Sequence, residues 1–117
     1  MFGQYTSAQV ANVRICVPFD TTKGNIKNGG NPTLFFSNNK TPSFGYVTLF
    51  NSKNSVVSAQ ISSDESGETS IFDSAIEPNN SVTIFLPSLQ DLYVFSTVNG
   101  KQVLGEITVN VIRTVHF

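Results

Sequence analysis

The sequence predicts an all-β fold, a jelly-roll β-sandwich of about eight strands, and three observations carry that reading. Short runs of alternating apolar and polar residues recur along the chain, punctuated by Gly, Pro, Asn and Asp turns at the roughly 8–12-residue spacing of sandwiches. No segment shows the 3.6-residue periodicity of an amphipathic helix. Charged residues make up 13% of the chain, well below the usual ~25%, while Phe alone occurs ten times and Trp not at all.

The elements follow in order. In "VRICV", Val13, Ile15 and Val17 alternate with Arg14 and Cys16, and Pro18 is expected to close this first strand. The segment "DTTKGNIKNGGNP" from Asp20 to Pro32 is rich in Gly, Asn and Thr and reads as a long connection crossing the sandwich. A short strand "TLFF" (Thr33 to Phe36) follows, then "FGYVTLF" from Phe44 to Phe50. There Val47 and Leu49 face one way and Phe44, Tyr46 and Phe50 the other, so cover is expected on both faces. "NSKN" at Asn51 to Asn54 reads as a hairpin turn into a strand with Val57, Ala59 and Ile61 on its inner face.

The polar tip "SDESGET" leads to a short run near Ile71. After it, Glu77-Pro78-Asn79-Asn80 is a turn, Val82 to Leu86 a core strand, and Pro87 its stop. "DLYVFSTV" from Asp91 to Val98 is paired by an Asn99-Gly100 hairpin with a last strand running from near Gln102 to about Val115. In that last strand Ile107, Val109 and Val111 alternate with Glu106, Thr108 and Asn110.

A chain of 117 residues supports one core, burying roughly 65% of the surface its unfolded form exposes. Seven basic residues against eight acidic ones give a net charge of −1 without any basic cluster, so nucleic acid is not an expected partner. The start "MFGQYTSAQV" has neither the basic n-region nor the apolar core of a signal peptide, and no run approaches the ~18 apolar residues of a membrane helix. Neither classical secretion nor membrane insertion is expected. The single cysteine, Cys16, cannot form a disulfide within the chain.

Chemistry finds little to work with. His116 is the one histidine, and with Cys16 it makes two zinc-type ligands in all, too few for a site. A nucleophilic triad would need an acid, a nucleophile and an oxyanion hole beside that histidine, and nothing places them there. Asp64, Glu65, Glu68 and Asp73 lack the spacing of a calcium loop and sit where a solvated tip carries charge. "GNIKNGGNP" lacks the Lys-Ser/Thr ending of a phosphate loop. No catalytic residue, cofactor or metal is expected. The aromatic load remains, and aromatics on the second face of a strand, Tyr46 and Tyr93 among them, are candidate contacts between subunits, as is Cys16.

From Gly45 to Ile112 the chain resembles the jelly-roll pilins of endospore appendages in spore-forming bacteria. The shared pattern is a "VTLFNS" strand entering a polar hairpin, "PNNSVTIFLPSL" with its Pro-x-Leu ending, an aromatic strand, and a long terminal strand beginning near a glycine. The resemblance implies a structural subunit that polymerises by lateral strand pairing between jelly rolls, with an N-terminal connector docking into a neighbour. Residues 1–9 then form the connector arm, with Phe2 and Tyr5 as its anchors, and residues 10–117 the jelly roll. It also implies an extracellular fibre on a spore or cell, released without a classical signal peptide. One departure is plain: the family's connector carries cysteines that cross-link subunits, whereas this arm has none, and Cys16 sits where a receiving cysteine would be. Two other readings share the features on the page, a virion decoration protein and a carbohydrate-binding module displaying Tyr46 or Tyr93.

Overall fold

The computed structural model of the chain describes residues 9–24, 33–38, 42–63, 71–72 and 74–115. Among these residues it is all-β, with two antiparallel sheets packed face to face. Four strands form the larger sheet in the order β1 (Gln9–Thr21), β7 (Val103–Val115), β3 (Ser43–Asn51), β5 (Asn80–Leu86). The smaller sheet has the order β2 (Thr33–Phe36), β6 (Leu92–Ser96), β4 (Ala59–Ser62). The count of about eight strands is close to the seven observed, and a further run is reduced to one bridge, in which Ala59 and Ile76 exchange N–H···O bonds of 2.9 and 2.8 Å.

The period of two explains the core. In the larger sheet Phe19, Val47, Leu49, Ile107, Val109 and Val111 point inward and are buried, facing Ala59, Ile61, Leu92 and Val94 of the smaller sheet. Cross-strand register aligns them: Ile15, Val109, Val47 and Ile84 stand in one inward row, and Val17, Ile107, Leu49 and Val82 in the next. At the end of this sheet Asn51 is fully buried, and its amide nitrogen donates to the carbonyls of Ile76 at 2.8 Å and Val57 at 3.3 Å. That side chain ties the end of β3 to the segments flanking β4.

Five expectations need correction. Pro18 does not end the first strand; β1 continues to Thr21, because β1 pairs only with β7 and the missing N–H can face the unpaired side. Asn51 to Asn54 is no hairpin, since β3 and β4 lie in different sheets and the turn carries the chain across. The same holds for Asn99-Gly100: β6 and β7 belong to different sheets. Gly100 still adopts φ +87° and its N–H donates to Thr22 at 2.7 Å, while Asn99 accepts from the Gly24 N–H at 3.1 Å. The run near Ile71 is not a strand, and pairing falls at Ile76 instead. Finally, β5 is the edge of its sheet and not a core strand, with Val82, Ile84 and Leu86 only half-buried. The turn before it is as read: Asn80 N–H donates to Glu77 O at 3.2 Å, Asn79 takes φ 66°, and β5 stops at Leu86 before Pro87.

Candidate functional site

A sheet edge presents unpaired N–H and C=O groups, so the edges are the first surfaces on which another chain could add. The larger sheet ends in β1 and β5 and the smaller in β2 and β4. These edges differ in how well they are guarded. Strand β4 is bridged to Ile76, and β2 has four residues with a register irregularity between Leu34 and Phe36. Strand β1 carries Arg14, Pro18 and Asp20, all exposed, which are the charged and proline devices that blunt an edge. Strand β5, "NSVTIFL", has seven residues with neither a charge nor a proline. Its inward residues are half-buried while Ser81, Thr83 and Phe85 face out.

The outward face of the larger sheet adjoins that edge. Register sets three rows across it: Arg14, Asn110, Tyr46 and Phe85; Cys16, Thr108, Thr48 and Thr83; Pro18, Glu106, Phe50 and Ser81. Tyr46 is 46% exposed, Phe85 48% and Phe50 41%, so the second face of β3, expected to be covered, is open within this chain. The Phe85 ring lies 5.2 Å from Tyr46 and 6.0 Å from Phe44, tilted by 57° and 64°. Rings so inclined pack against each other by edge contacts and do not form one flat platform of the kind a planar sugar face stacks on. In the middle row Thr48 and Thr83 hydroxyls are 2.8 Å apart, and Cys16 Sγ lies 3.8 Å from Thr108 Oγ1.

Cys16 is exposed and unpaired as a thiol, as its place in the strand predicts. Tyr93 sits elsewhere, half-buried on β6 of the smaller sheet between Leu34 and Ser62, so the two tyrosines are not brought together. Phe2 and Tyr5 lie outside the described residues, as do His116 and the acidic positions Asp64, Glu65, Glu68 and Asp73. Among the described residues no group of three or more His, Cys, Asp and Glu side chains is placed to hold a metal ion. No helix among them is long and apolar enough to cross a membrane. Sequence reasoning missed Phe85 as a surface residue because it took β5 for a core strand. The strict alternation of Ser81, Thr83 and Phe85 with Val82, Ile84 and Leu86 was the signal available.

A solved structure of Bacillus endospore appendages, described as a novel family of disulfide-linked pili, shares this fold with a TM-score of 0.67. The match covers 92% of this chain and 90% of that one at 9% sequence identity. The chain matches no protein-family model and no curated protein.

Proposed function

We propose that this chain is a structural subunit that self-assembles into an extracellular fibre, a pilus or spore appendage, and has no catalytic role. The observation that carries the reading is the uncharged edge of β5 on a sandwich whose fold matches a pilus protein over nearly its whole length. Copies join laterally as β5 of one extends a sheet of the next, gaining main-chain hydrogen bonds worth about 0.5–1.5 kcal/mol each. Gln9 pairs with Val115 as the first residue of β1, and the arm is the rest of that segment, residues 1–8, docking on a neighbour through Phe2 and Tyr5. Burying those two rings contributes roughly 3–6 kcal/mol, at most the lower part of the ~4–15 kcal/mol that association costs, so the arm supplements strand pairing and does not replace it. Tyr46 and Cys16 lie on the outward sheet face available to such neighbours.

Disulfides do not hold this fibre together along its length. One cysteine per chain allows at most one disulfide per copy, which joins copies in pairs and cannot propagate along a polymer. The test is negative-stain electron microscopy of the purified chain. Filaments support the reading. Discrete particles or monomers contradict it and favour the decoration protein.

A further inference from the structure

The outward face of the larger sheet carries opposite charges on either side of a row of small residues. Arg14 shares its row with Tyr46, and Glu106 shares its row with Phe50; between them lies the row of Cys16, Thr108, Thr48 and Thr83. Both charged residues are exposed, and so are the rings of Tyr46, Phe50 and Phe85. The two charges stand about 13 Å apart along the strands, four residues at ~3.3 Å each, with the middle row between them.

This pattern is complementary to itself. A second copy turned about a two-fold axis that runs across the strands through the middle row exchanges the two flanking rows. Tyr46 then faces Phe50 of the second copy, Phe85 faces the small Ser81, and Asn110 faces Glu106, which Arg14 also reaches from the adjoining strand. Each contact occurs twice. An axis along the strands instead sets Glu106 against the ring of Phe50 with no cation beside it, so charge favours the first arrangement. Strands of the two facing sheets then run antiparallel, as aligned sheets about 10 Å apart allow, and the Thr and Cys side chains of the middle row leave room for that approach. Four strands of about nine residues offer roughly 600 Å² per copy, at the low end of specific interfaces.

We infer that the outward face of the larger sheet is a contact between two copies of this chain, packed face to face about a two-fold axis, with Arg14 of each against Glu106 of the other and Tyr46 against Phe50. This contact leaves the β5 edge free and needs no strand pairing. In a fibre, where many copies present the face together, contacts that are weak singly add up and pair one fibre with another.

The experiment uses the full-length chain with its own Cys16 as reporter. Under this symmetry Cys16 faces Cys16 of the second copy across the ~10 Å between sheets, too far for the ~4.4–6.8 Å Cα separation of a disulfide, so a short bismaleimide links the two thiols where oxidation does not. Native chain, Arg14→Glu, Glu106→Arg and the double variant carrying both are checked for folding by circular dichroism, cross-linked, and run on denaturing gels beside negative-stain micrographs. The expected result is a dimer band from the native chain and from the double variant, weakened about tenfold or more in each single reversal, where like charges meet. No band from the native chain, an undiminished band from the single reversals, or a folded double variant no better than they are overturns the inference. Filaments without a dimer band overturn this contact and leave the subunit reading standing. A dimer band from chain that forms no filaments does the reverse.

Discussion

Phe85 and Tyr46 meet across the β5–β3 pair with ring centroids 5.2 Å apart, on the face of the sheet turned away from the core. An exposed aromatic pair of this kind holds the edge strand to its neighbour. Side-chain pairing across strands is what stabilises a sheet where burial is incomplete. A double-mutant cycle of Tyr46→Ala and Phe85→Ala, read by urea denaturation, should give a coupling of about 0.5–1.5 kcal/mol. Additive effects would mean that the rings do not pack.

Asn51 carries a different load. Replacing it with Ala takes the donor from the Val57 carbonyl and the second of two donors from the Ile76 carbonyl, which keeps the Ala59 N–H. Asn51→Ala should lower unfolding free energy by about 1–3 kcal/mol, the usual cost of one unsatisfied buried group. A loss below about 0.5 kcal/mol, the usual surface value, would contradict its role as a tie.

The strands themselves were legible in the sequence, because alternation at Ile107, Val109 and Val111 or at Val47 and Leu49 is local and burial enforces it. Which sheet each strand joins was not. The Asn99-Gly100 turn was found, with Gly100 at positive φ, yet the residues it links lie in opposite sheets. A turn fixes the local reversal and not the pairing partner, which long-range packing decides. Pro18 misled for a related reason: proline ends a central strand but is tolerated on an edge, and edge position is a property of the whole sheet. The same ignorance made β5 look like core and hid Phe85. Cys16 and Tyr46 stand on the outward face, opposite half-buried Ile15 and Val17 in the one case and buried Val47 in the other, as alternation indicates.

Cys16→Ser should leave assembly unchanged, and so should reductant. Electron microscopy and sedimentation of the variant check this. Loss of filaments would show that Cys16 pairs between copies and holds them.

The arm gives a graded outcome. Phe2→Ala with Tyr5→Ala should leave the domain folded by circular dichroism and shorten or weaken the filaments, since in the proposed assembly the two rings would add about 3–6 kcal/mol to the strand pairing. Filaments of native length and strength would remove the arm from the mechanism.

The central claim is that copies join through the open edge of β5. The measurement that tests it most directly is negative-stain imaging of the native chain beside Thr83→Pro and Ile84→Pro, each sample also checked for folding. Consecutive strand residues direct their N–H groups to opposite sides, so one of the two prolines removes a donor from the free edge while the other removes one from the β3 pairing. The account predicts filaments from the native chain and folded, unpolymerised protein from the variant that strikes the free edge. Undiminished filaments from both variants, or none from the native chain, would contradict it.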